Sequence, residues 1–166
     1  MSPPQRRIRE LVAVTAALTV IASLTACGGG SDAPVADAEP ADKYVGIWTS
    51  GCQTTGSSYQ YQFEMSKGGA TAVNMKVTRV GYANPTCTGT PAGSQSTNYA
   101  FTIDGTGTAS NKAVDKITLS AAFGGSFKQL FAVEGNLMYV SDGAPSQSYD
   151  TDGYPTKLNL NLPFTR

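Results

Sequence analysis

The chain changes side every second residue. Tyr59, Tyr61, Phe63 and Met65 alternate with Gln60, Gln62 and Glu64, and Val73, Met75 and Val77 alternate with Asn74, Lys76 and Thr78. A period of two belongs to a strand with one buried and one wet face; a helix would repeat its apolar positions every three or four residues. Similar sets follow at Tyr99, Phe101 and Ile103, at Ile117, Leu119 and Ala121, and at Phe127, Phe131 and Val133. Leu137 with Tyr139, and Leu158, Leu160 and Leu162, close the series. With Tyr44 to Ser50 these make eight expected strands. Beyond Arg79 the apolar phase slips to Val80 and Tyr82, which predicts a bulge or a strong bend.

The gaps between the sets are short and rich in turn residues: Lys67-Gly68-Gly69, Asp104-Gly105-Thr106-Gly107, Gly124-Gly125, Glu134-Gly135-Asn136 and Asp142-Gly143. Such gaps imply antiparallel hairpins, because a parallel crossover needs a dozen or more residues. Eight short strands in an open sheet would leave two bare edges. The expected fold is therefore all-β, an antiparallel eight-stranded barrel, with a β-sandwich as the alternative.

Composition narrows the chemistry. The 166 residues contain 12 basic and 12 acidic side chains and no histidine. Histidine-dependent nucleophilic catalysis and histidine metal sites are excluded. A zero net charge argues against a nucleic-acid surface, which needs a basic excess. Only 14% of residues are charged, as in secreted all-β proteins rich in Gly, Ser, Thr and Asn.

The first 26 residues read as an export signal. Arg6, Arg7 and Arg9 precede an uncharged apolar run from Leu11 to Leu24, too short to span a membrane. The run ends Leu24-Thr25-Ala26-Cys27, which resembles the lipobox of bacterial lipoproteins. The resemblance implies cleavage before Cys27, diacylglyceryl on its thiol and a further acyl chain on its amino group. Two or more chains give the stable membrane attachment that one does not. Gly28 stands where an aspartate favours inner-membrane retention in enteric lipoproteins, so the resemblance points to the outer membrane of a bacterial envelope, on its periplasmic or its surface face. Residues 27–42 are rich in Gly, Ala, Pro and Asp without apolar periodicity and read as a flexible tether. Residues 43–166 are left for the barrel.

With Cys27 assigned to lipid, Cys52 and Cys87 remain as an even pair in an oxidising compartment, which favours a disulfide. Free thiols or a two-thiolate metal site are the alternatives.

The domain opens Gly46-Ile47-Trp48, with Cys52 four residues after the tryptophan. Gly-x-Trp on a first strand resembles the entry motif of lipocalins. Together with Cys87 and the closing Gly153-Tyr154-Pro155, it resembles a group of proteobacterial lipoproteins with a lipocalin-like domain. The lipocalin resemblance implies a tryptophan at the closed end of the barrel with a basic residue stacked on it, and Arg166 and Arg79 are the candidates. It also implies a binder of small apolar molecules, with Trp48, Tyr59, Tyr61, Tyr99 and Tyr139 as ligand residues.

Other chemistry is thin. Asp150-Thr151-Asp152-Gly153 starts like a calcium loop, with Asp142 as an extra donor, but lacks the glutamate six residues beyond the glycine. Glu64 and Glu134 are the domain's glutamates and both read as solvated, a poor pair for glycoside hydrolysis. No nucleophile motif or cofactor loop is present, so the sequence predicts no catalytic residues, no cofactor and no enzyme. Two functions remain. The expected one is a structural or interaction barrel that displays loops such as Thr86 to Asn98 to an envelope protein, because nothing in the sequence names a ligand. The alternative is a carrier of a small hydrophobic molecule, with Gly143 to Pro155 as a lid or contact surface in either case. A void above about 300 Å³ would favour the carrier.

Overall fold

The strands follow one another around a closed antiparallel barrel. The computed structural model describes residues 37–141 and 147–166. The signal segment, Cys27 and most of the tether lie outside the described residues, as does Asp142. A short 3-10 turn (Asp42–Tyr44) leads into β1 (Gly46–Ser50), β2 (Ser58–Lys67), β3 (Ala72–Tyr82), β4 (Gly93–Ala109), β5 (Lys112–Ala121), β6 (Ser126–Glu134), β7 (Leu137–Val140) and β8 (Phe164–Thr165). Each pairs with the next, and β8 returns to β1 through Thr49↔Thr165 and Ser50↔Phe164. The barrel, not the sandwich, is the fold. Ala36–Arg166 forms its own compact unit and holds every one of these strands, so it carries what it needs to fold without the residues before it.

Alternation sets the two faces. Tyr61, Phe63 and Met65 on β2, Val73, Met75 and Val77 on β3, and Phe101 and Ile103 on β4 point inward, and most of their polar neighbours point out. The register then shifts between Ile103 and Gly105, so that Thr106 faces Asp115 and Ala109 turns to the outside. Here is the bulge, not after Arg79, where β2 and β3 stay in register from Lys67↔Val73 to Ser58↔Tyr82. The slip of apolar phase at Val80 has another cause: the inward positions there are Arg79 and Gly81.

Three further expectations are corrected. Asp104 to Gly107 is not a turn; β4 runs on to Ala109, and Ser110 and Asn111, both at positive φ, make the hairpin. On β7 the inward residues are Met138 and Val140, and Tyr139 faces out. Leu158, Leu160 and Leu162 do not form the last strand. Asn159 accepts a hydrogen bond from the Asn161 N–H at 3.1 Å, the chain turns, and the closing strand is Phe164–Thr165.

The closed end is plugged from the N-terminal side. Ala41 is fully buried and donates its N–H to Ala70 O at 3.0 Å, so the packed domain takes in the last residues of the stretch read as tether. Tyr44 packs edge-on to Phe101 and Phe131. Trp48 is fully buried and donates its indole N–H to Tyr44 O at 2.7 Å. Arg166 lies over its ring, 4.6 Å from the centroid, and donates to Val45 O at 3.1 Å. Gly46 permits that approach: its φ is +131°, and a Cβ there would meet the Arg166 side chain at 3.1 Å.

A second, smaller cluster lies outside the barrel. Ala109, Val114, Leu130 and Ala132 are covered by Tyr154 and Leu158 of the segment before β8. That segment straps the outer wall.

Candidate functional site

Hairpin alternation puts the β1–β2, β3–β4 and β5–β6 connections at the end opposite the plug. Two of them are joined there. Cys52, just past β1, and Cys87, in the loop after β3, form a disulfide with Cα atoms 5.6 Å apart. The β5–β6 connection presents Phe123, 81% exposed, beside two glycines at positive φ.

Between these loops the barrel is not filled. A cavity of about 410 Å³ opens at this mouth. Its floor is Met75, Leu119 and Phe131, and its walls include Phe63, Val77 and Phe127. The side chains below it are the large ones that close the core, so the space lies above the plug and not in place of it. Tyr61 and Tyr99 also line it, and Phe127 meets Tyr99 edge-on at 6.3 Å.

One polar group is held in the wall. Ser141, 6% exposed, accepts the Leu130 N–H at 3.0 Å and donates its hydroxyl to Gln129 Oε1. This leaves the Gln129 amide nitrogen, with its two hydrogens, without a partner among the described residues. The Tyr61 and Tyr99 hydroxyls are likewise without one among the described residues. The cavity is an apolar cup with a few fixed hydrogen-bonding groups, the usual make-up of a small-molecule site.

The residues expected to bind ligand are divided by the fold. Tyr61 and Tyr99 line the cavity. Tyr59 stands at its rim, edge-on to Tyr61 at 5.5 Å. Trp48 does not reach it; it is sealed in the closed end. Tyr139 is on the outer wall, packed in the second cluster with the Lys112 ammonium 4.5 Å from its ring centroid. The all-apolar run Leu137-Met138-Tyr139-Val140 carries no alternation, so its phase was not readable. Gln129 and Ser141 were missed because single polar residues in strands look like wet-face positions.

The remaining candidates fall elsewhere. Asp150 and Asp152 do not make a calcium loop: both carboxylates bind the Lys116 ammonium, at 2.9 and 3.2 Å, which puts a fixed cation where a metal would sit. The Lys116 hydrogen bond and the Tyr154 N–H hold the Asp150 carboxyl below its usual range. Cys52 and Cys87 are not metal ligands. Glu64 pairs with Lys76 at 3.3 Å and Glu134 with Lys112 at 2.5 Å, both on exposed faces. Thr86 to Asn98 is a loop only as far as Ala92; Gly93 onward is β4. The part of the 143–155 segment that is described packs through Tyr154 and Pro155 on the outer wall, away from the mouth.

Asp115 is the most buried carboxylate among the described residues, at 3% exposed. It faces into the closed end, where it accepts the Tyr44 hydroxyl at 2.5 Å and pairs with Lys43 at 2.7 Å. Burial, and then the hydrogen bond to this carboxylate, push the Tyr44 phenol far above its ordinary pKa. With both partners in place, the group braces the plug at the end away from the mouth.

Comparison with family models, with curated proteins and with solved structures gave no match.

Proposed function

We propose that this protein is a non-catalytic carrier, anchored by lipid on Cys27 in the bacterial envelope, that holds a small apolar molecule in the barrel mouth. The observation that supports this reading is the cavity of about 410 Å³ with apolar floor and walls. An interaction barrel has no need of such a space; a filled one would be more stable, because empty apolar volume forfeits packing contacts. The Gln129 amide and the tyrosine hydroxyls would orient the guest through one or two hydrogen bonds. The outer-membrane destination rests on the lipobox resemblance and on Gly28.

The second reading, an interaction barrel, draws on Phe123, which is presented at a loop tip without cover. The two are separated by native mass spectrometry of Ala36–Arg166 exported to a bacterial periplasm and purified without detergent. The carrier reading expects a mass excess that organic extraction removes. A clean mass, unchanged after exposure to an envelope extract, would favour the interaction barrel.

A further inference from the structure

We infer that the guest is a single-chain amphiphile with an anionic head, and that Arg79 selects it. The inference rests on the carrier reading above and adds the class of molecule carried.

On β3, Val73, Met75 and Val77 point into the barrel, and the next inward position is Arg79. It lies one step of two residues, about 7 Å, beyond Val77 toward the mouth. Opposite it in register stands Tyr61, which lines the cavity. A cation on the inner face of a barrel strand breaks the apolar alternation, and such a break calls for a reason.

Arg79 is held in place. Its guanidinium lies over the Tyr59 ring, 4.0 Å from the centroid, and donates to Ser57 Oγ at 3.1 Å. Stacking fixes the plane of the fork and leaves N–H groups to spare. No carboxylate pairs with it among the described residues, whereas Lys43, Lys67, Lys76, Lys112 and Lys116 have acidic partners. Lys128, Lys157 and Arg166 likewise pair with no carboxylate among the described residues, but of these four Arg79 is the one at an inward strand position opposite the cavity-lining Tyr61. A separate concavity, of about 370 Å³, is lined by Arg79, Gly81, Ala92, Gly93, Ser94 and Gln95, so there is room beside the guanidinium for a head group. It shares no lining residue with the cup, and the pairing of Arg79 with Tyr61 is what brings the two together. The glycines keep that floor low.

The molecule that fits has an apolar tail for the cup and two acceptor oxygens for the fork. Carboxylate and phosphate monoester share this chemistry. At about 30 Å³ per water-sized unit, the cup of about 410 Å³ has room for about fourteen such units, so a ten-carbon chain fits with space to spare.

The test is calorimetric titration of Ala36–Arg166 with decanoate, decyl phosphate, decanol and decyltrimethylammonium, repeated with R79Q and R79K. The expected result is that at least one anion binds about tenfold or more tighter than decanol and that the cation binds worst. R79Q brings anion and alcohol to within about twofold by weakening the anion far more than decanol, and R79K restores part of the preference. Which anion binds tighter identifies the head group. If decanol binds as well as both anions, or if R79Q keeps the preference, the selection by Arg79 is wrong and the carrier reading stands. If none of the four binds, both fall.

Discussion

Breaking the Cys52–Cys87 disulfide should cost about 4 kcal/mol. The bonded residues are 35 positions apart, and closing a loop of that length removes about 13 cal/mol/K from the unfolded chain in the chain-entropy model. The folded state contributes little of its own. β1, β2 and β3 are paired along their length whether or not the bond exists, so reduction frees only the mouth loops. That freedom lowers the figure somewhat; it does not raise it. For a domain of this size, about 4 kcal/mol corresponds to a fall in Tm of roughly 14 °C. The reporter is built in, because Trp48 is the chain's single tryptophan and sits fully buried at the far end from the bond. Urea unfolding of Ala36–Arg166 followed by its fluorescence, for the wild type and for C52S/C87S, should show a lower midpoint and a steeper m, since the uncrosslinked unfolded chain exposes more surface. A loss below about 1 kcal/mol would refute the reasoning, and so would an unchanged m.

Removing the guanidinium in R166A should lower stability by about 1–2 kcal/mol and shift Trp48 emission to the red, because the stacked cation and its bond to Val45 O both seal the indole; an unshifted spectrum would contradict this. Tyr44 gives an alkaline limit. Folded Tyr44 keeps its proton while unfolded Tyr44 loses it near pH 10, so its share of stability is complete below about pH 10 and falls above it by up to about 1.4 kcal/mol per pH unit. In pH-dependent unfolding, Y44F should make the alkaline slope shallower by that share, with Lys67, Lys112, Lys116 and Tyr154, whose pKa values are also raised by their partners or burial, keeping the rest. A slope as steep in Y44F as in the wild type would contradict the assignment. Y139A should leave decanol affinity unchanged, whereas F63A and Y99A should each alter it severalfold by calorimetry, since Phe63 and Tyr99 line the mouth and Tyr139 lies on the outer wall.

How far the sequence could be read depended on whether one face of a strand is wet. Tyr59 to Met65 and Val73 to Val77 have polar partners at every second position, and their strands, pairing and inward faces were legible. Leu137 to Val140 are apolar on both faces because the outer strap covers that wall, and there the phase was lost. The same strap misled at Leu158: it packs on the outer cluster, and the alternation with Asn159 and Asn161 mimics a strand where an Asn side chain in fact caps a turn. The two residues of β8 are too few to show any period. Within the site, Tyr61 and Tyr99 were legible as bulky residues on alternating strands. Gln129, Ser141 and Arg79 were not, because a polar residue facing inward looks in sequence like one facing water; only the register distinguishes them. The apolar slip after Arg79 was the available signal, and it was read as a bend in the backbone.

Three methionines test directly whether the mouth cavity takes an apolar guest. Met75 lines the cavity, Met138 is buried in the closed core, and Met65 pairs with Met75 across β2 and β3. With carbon-13 in the methionine methyl groups of Ala36–Arg166, a titration with decanol should move the Met75 resonance along a saturable curve and leave Met138 in place. A Met75 resonance that stays still, or one that drifts together with Met138 without saturating, would contradict the account.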